Sequence, residues 1–188
     1  PMHIKQFRPT VQLSVPRMFE KFYYRILAEV AERDLRQRKL FEWALDVATQ
    51  VRQAQRDGRR APRHMRLQLA AAERTVLGPL RERFGGRVRY FVSGAAPLSP
   101  EIIDFFDACG MPILEGYGLT ETCAPATVNR LDASKSGTVG QALDICELRI
   151  ASDGEVLIRG ENVMSGYYCD PEATAETITA DGWLQTGD

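Results

Sequence analysis

The stretch from Val88 to Leu114 constrains the fold of this chain more than any other. Val88 to Val92 is a short β-rich run, and Ser93-Gly94-Ala95-Ala96-Pro97 after it is too small and kinked to continue a strand. Ser99-Pro100-Glu101 is an N-terminal helix signal, followed by apolar Ile102, Ile103, Phe105 and Phe106 and a glycine stop at Cys109-Gly110. Pro112 to Leu114 then reads as a second strand. Strand, loop, helix and strand within about thirty residues is a βαβ unit, which requires a parallel sheet and places ligands beyond the carboxyl ends of its strands. The loops after Val92 and after Leu114 both lie at such ends.

Before this unit the apolar residues follow a helical period. Met18, Phe19, Phe22, Tyr23, Ile26, Leu27 and Val30 form one face, with Ser14 as candidate cap and Pro16 in the first turn. Leu40, Phe41, Ala44, Leu45, Ala48 and Val51 form a second, and Leu67, Ala70, Ala71, Leu77 and Leu80 a less regular third. After Asn129 the runs become short and alternating. Leu148 to Ile150 and Glu155 to Arg159, joined through Ser152-Asp153-Gly154, predict an antiparallel hairpin. Pro171 to Thr177 fits one brief helix, and Asp181-Gly182 a turn. The expected class is therefore α/β: residues 1–87 mainly helical, 88–130 a partial parallel βαβ sheet, and 131–188 a smaller antiparallel β region.

A chain of 188 residues, 44% of them hydrophobic, suits one compact unit with a single core. No apolar run is long enough to span a bilayer and no secretory leader is visible, so the expectation is a soluble, cytoplasmic protein. Cys109, Cys123, Cys146 and Cys169 are irregularly spaced and read as reduced thiols without a metal pattern. Residues 1–90 carry 20 basic and 9 acidic side chains, whereas 91–188 carry 4 and 16. Such a split points to different partners for the two halves or to their mutual attraction.

Glu115-Gly116-Tyr117-Gly118-Leu119-Thr120-Glu121-Thr122 combines glycines, a ring, hydroxyls and a carboxylate directly after a strand. Glycines admit close backbone approach, a tyrosine stacks on a purine, a threonine donates to phosphate, and a glutamate binds a hard cation through oxygen. Taken alone, the octapeptide fits a glycine-rich turn with a solvated glutamate equally well.

The octapeptide resembles the Y-G-x-T-E motif of the adenylate-forming synthetases, and three more segments match in order. Ser93 to Leu98 resembles the family's adenine-contacting loop, Gly154 to Tyr168 its G-E-x-x-x-R-G…G-Y motif, and Asp181-Gly182-Trp183…Thr186-Gly187-Asp188 its D-G-W…T-G-D. Val15 to Lys21 and Lys39 to Ala44 are similar to stretches of the long-chain fatty acyl-CoA synthetase branch. The resemblance implies ATP or AMP, Mg²⁺ and coenzyme A as cofactors and cosubstrates, with a fatty acid as the acid activated. It makes Thr120 and Glu121 catalytic, with Glu121 on Mg²⁺ and Thr120 on the α-phosphate. It puts Tyr117 on adenine, Gly94, Ala95, Ala96 and Pro97 beside the base, and Asp188 on the ribose hydroxyls, with Glu115, Gly116 and Gly118 completing the nucleotide contacts. A carboxylate accepting from two adjacent hydroxyls makes a charge-assisted bidentate contact. Trp183 is expected in the core.

Two departures bear on this resemblance. Gln141 to Cys146 replaces a Pro-Gly turn frequent in relatives, and neither the family's phosphate-gripping loop ending in Pro-Lys-Gly nor its lysine-bearing C-terminal lid occurs in these residues. The expectation is an internal fragment of the large N-terminal domain of a long-chain fatty acid–CoA ligase, inactive by itself. The alternatives are a ligase for another carboxylic acid and a non-catalytic nucleotide-binding or interaction module. Arg52, Arg56, Arg59, Arg60, Arg63 and Arg66 form a basic tract, which is most often a solvated face; coenzyme A phosphates, an anionic membrane and nucleic acid are its other candidate partners. Nucleic acid is disfavoured because aromatic interleaving is lacking. Peripheral membrane contact and an oligomer stay open. His3 and His64 are isolated and receive no role, and Ser93 and Ser99 lack a nucleophile elbow, Ser99 being better placed as a cap.

Overall fold

The computed structural model describes residues 2–123 and 125–188, and the side chains of Met2 and His3 lie outside the described set. The chain forms two compact units, 1–113 and 114–188. This corrects the expectation of a single core. All eight phenylalanines lie at or before Phe106, so the later residues lack the bulk to extend an aromatic core and close a small one of their own.

The first unit begins with α1 (Met2–Phe7) and β1 (Val11–Ser14), a strand that the helical pattern around it conceals. Helix α2 (Pro16–Ala31) follows, but Ser14 does not cap it. Proline at the first helical position forces the residue before it into extended geometry, so the cap position falls on Val15, at φ −100° and ψ 155°. Helix α3 (Leu35–Arg56) starts at Asp34, whose carboxylate accepts the Gln37 N–H at 2.9 Å. Helix α4 (Arg63–Ala72) passes through a π-helical turn at Glu73–Leu77 into α5 (Gly78–Glu82). Pro79 explains the turn: a proline cannot donate to the preceding turn, and widening the helix relieves its clash there. Leu67, expected on a buried face, is 73% exposed.

Strand β2 (Tyr90–Ser93) pairs parallel with β1, Val11 opposite Tyr90 and Ser14 opposite Ser93. Helix α6 (Pro100–Ala108) starts at Ser99, which accepts through its backbone carbonyl while its hydroxyl makes no capping bond. Its C-terminus is a Schellman motif: Met111 N–H donates to Phe106 C=O, Gly110 N–H to Asp107 C=O, and Gly110 takes φ +76°. The core of this unit is an aromatic cluster. Phe19, Phe91 and Phe106 are fully buried and meet edge to face at centroid distances of 5.4 to 5.9 Å, with Phe84 beside them. At its edge the Tyr23 hydroxyl donates to Glu101 Oε1 at 2.6 Å, and burial, then this bond, pushes the phenol up to about 12.

Strand β3 (Ile113–Tyr117) leads into the second unit, where it pairs antiparallel with β4 (Thr127–Val128), and β4 with β5 (Gln141–Ala142). The expected hairpin is β6 (Cys146–Ile150) and β7 (Val156–Gly160), with Ile150 opposite Val156. Helix α7 (Pro171–Thr177) is capped by Asp170, and β8 (Leu184–Gln185) pairs with β7. Ala126, Ile158 and Leu184 form the fully buried core here. Trp183 is buried, as expected, with the Arg149 and Arg159 guanidinium carbons 4.5 and 4.6 Å from its ring. The four cysteines are free thiols.

Candidate functional site

The octapeptide begins inside β3 instead of following it. Glu115 is buried, and Gly116 lies so near β4 that a Cβ would sit 3.0 Å from the Thr127 carbonyl oxygen. Its lack of a side chain therefore serves strand packing. Tyr117 ends the strand with its ring half-buried. The chain next turns through a 3₁₀ segment, Thr120–Thr122. Buried Thr122 holds this turn: its hydroxyl accepts the Leu119 N–H at 2.9 Å and donates to the Leu119 carbonyl at 3.0 Å. With Thr122 inward, Thr120 is exposed and Glu121 half-buried.

Glu121 is fixed at both ends. Its carbonyl accepts the Met164 N–H at 2.8 Å, and its carboxylate Oε1 accepts the Tyr167 hydroxyl at 2.9 Å. The bond to this carboxylate is the main cause that raises the Tyr167 pKa. Tyr117 holds a second carboxylate, donating to Asp188 Oδ2 at 2.6 Å. Partial burial, and then this bond, raise the Tyr117 pKa.

The last residues are tied to β7. Val156 N–H donates to the Asp188 carbonyl at 3.0 Å, the Thr186 hydroxyl to the Val156 carbonyl at 2.7 Å, and Gly187 N–H to Glu155 Oε1 at 2.9 Å. Three segments distant in sequence, 115–122, 154–168 and 183–188, are thus joined in one unit. In the first unit, Gly94 to Pro97 follow β2 with Gly94 half-buried, the other three exposed, and Ala95 at φ 73°. The Ser93 hydroxyl beside them is buried and has no hydrogen-bond partner among the described residues. Sequence patterns gave Tyr167 no role, because nothing in Gly166-Tyr167-Tyr168 separates it from Tyr168, which is 96% exposed.

A family model described as "AMP-binding enzyme" matches residues 2–168. The chain belongs to that family. FadD11 of Mycobacterium tuberculosis, whose name places it with the fatty-acid–CoA ligases, is 42% identical over 183 residues, 96% of this chain and 32% of that protein. The long-chain-fatty-acid–CoA ligase FadD15 of Mycobacterium bovis is 40% identical over 97% of this chain and 30% of its own length. The chain spans about a third of these relatives. Among solved structures, a malonyl-CoA ligase ternary product complex with methylmalonyl-CoA and AMP bound is 27% identical, with a TM-score of 0.56 over 95% of this chain and 30% of that one. The mixed α/β class expected from sequence is the class observed.

Proposed function

We propose that this chain forms part of a ligase that activates a fatty acid with ATP as acyl-AMP and transfers the acyl group to coenzyme A. The observation that carries this reading is the 2.6 Å bond from Tyr117 to Asp188. Base and ribose are adjacent on a nucleoside, so a ring assigned to adenine and a carboxylate assigned to the ribose hydroxyls must be neighbours. Identity of about 40% with long-chain ligases supports the fatty acid.

In the first step a carboxylate oxygen attacks the α-phosphorus and the bond to pyrophosphate breaks. In the second the coenzyme A thiol, losing its proton, attacks the acyl carbonyl and AMP leaves. Attack brings anions together, so the site must offset charge and hold the groups in line. Exposed Thr120 donates to the α-phosphate, and Gly94 to Pro97 border the base. Glu115, Gly116 and Gly118 shape the backbone around Tyr117. Among the described residues no group of three or more His, Cys, Asp or Glu could hold a metal. Mg²⁺ bound through one carboxylate, waters and substrate phosphates needs no such group. Glu121 is the residue that would hold it, and the ion would supply charge neutralisation at the phosphates.

In the same reading residues 1–87, 88–130 and 131–188 are sections of one nucleotide-binding domain, and the phosphate-gripping loop and lid come from other residues of the complete protein. Among the described residues no helix is long and apolar enough to cross a membrane. A cytoplasmic location, peripheral membrane contact and self-association complete the proposal. The test is pyrophosphate release by the complete protein. A long-chain fatty acid should drive it and coenzyme A should consume the intermediate; release driven only by an aryl or short-chain acid selects the other-acid ligase, and no release with any acid selects the binding module.

A further inference from the structure

Between Gly58 and Ala72 the chain has no acidic residue, and it carries Arg59, Arg60, Arg63, His64 and Arg66. These residues form the loop from α3 to α4 and the first turns of α4. From Arg56 onward the structure divides the arginine tract into two groups. Arg56 is paired with Asp104 and Asp107, and Arg59 with Asp57. Arg60, Arg63 and Arg66 are exposed and have no acidic partner among the described residues. The nearby Glu73 is already engaged by Arg81.

Leu67 lies one helical turn beyond Arg63 and is 73% exposed. With Arg63, Ala70, Ala71 and Arg74 it makes an exposed stripe along α4 and the turn after it, basic at both ends and apolar between. Beside the stripe is a cleft of about 670 Å³, lined by Arg59, Arg60, Arg66, Ala61 and Leu69 among others. Unpaired cations around an exposed leucine, next to a cleft rimmed by arginines, match an anionic lipid surface: headgroup phosphates meet the guanidiniums and the leucine enters the acyl boundary. A single-stranded nucleic acid would instead want exposed rings for stacking, and residues 58–72 contain no Phe, Tyr or Trp.

We infer that the α3–α4 loop and the outer stripe of α4 dock this protein on anionic membranes, with Arg60, Arg63 and Arg66 holding phosphates and Leu67 inserted between them. This rests on the peripheral-contact part of the proposed function and not on its chemistry. Acid activation is measured separately, so either can fail alone.

The test is cosedimentation of the 188-residue chain with phosphatidylcholine vesicles, with and without phosphatidylglycerol. Binding should require phosphatidylglycerol and weaken with salt. Each arginine near the surface contributes about fivefold, so Arg60→Glu, Arg63→Glu and Arg66→Glu together should lower affinity by about a hundredfold or more. Leu67→Ser, which keeps every charge, should lower it by up to about tenfold. All four positions are exposed, so thermal midpoints should hold near the parent value. Equal binding to both vesicles, no binding to either, full binding by the triple variant, or displacement from vesicles by single-stranded RNA with the Leu67→Ser variant unaffected would each overturn the inference.

Discussion

Both units hold carboxylates by tyrosine hydroxyls, and they hold themselves together by different means. In the first, a cluster of phenylalanines fills the core, and Tyr23 at its edge donates to Glu101. In the second, three fully buried residues make the core, and hydroxyl and backbone bonds join the loops that carry Glu121 and Asp188. Aromatic burial stabilises without fixing any one polar group. A network of hydroxyls positions specific oxygens while contributing little to folding.

This contrast is open to direct challenge. Phe106→Ala removes a fully buried ring and should cost about 3–5 kcal/mol, whereas Leu184→Ala should cost nearer about 2–3 kcal/mol because its smaller core can collapse around the gap. Denaturant unfolding monitored separately in the two units reads both; a larger loss from Leu184→Ala would invert the comparison. Next is Tyr23. Its folded pKa, about 12, lies above the ordinary value of 10, so its contribution is fully present below pH 10 and is lost as pH rises through 12. Tyr23→Phe should cost about 1–2 kcal/mol at neutral pH and remove that alkaline component. An unchanged alkaline unfolding curve would contradict the assignment. Smallest in stability is Tyr167→Phe. It should leave the thermal midpoint in place, abolish one late-titrating phenol in the ultraviolet absorbance, and raise the Mg²⁺ concentration needed for half-maximal activity of the complete protein.

The sequence made the long-period features readable and hid those that depend on a neighbour in space. The faces of α2 and α3 repeat every three or four residues over several turns, so periodicity alone marks Phe19, Tyr23, Phe41 and Ala44. Strand β1 is four residues beside a strong helix signal, and Pro16 moves the cap from Ser14 to Val15. The π turn depends on Pro79 acting on residues before it. Gly116 suggests loop chemistry in sequence because the Thr127 carbonyl that requires a glycine there is eleven residues away. The motif residues Tyr117, Glu121 and Asp188 were visible as types at set spacings. That Tyr117 meets Asp188, and that Tyr167 instead of Tyr168 meets Glu121, depends on how β3, β7 and the chain end converge. The second core had a trace in the sequence, the absence of phenylalanine after Phe106.

In the proposed function Glu121 serves the chemistry of acid activation and not the fold. Its most direct test compares Glu121→Ala with the unaltered complete protein, measuring fatty acid-dependent acyl-AMP formation and thermal midpoint on the same samples. The midpoint should stay near that of the parent while adenylation is severely reduced. Equal adenylation in both proteins would contradict it.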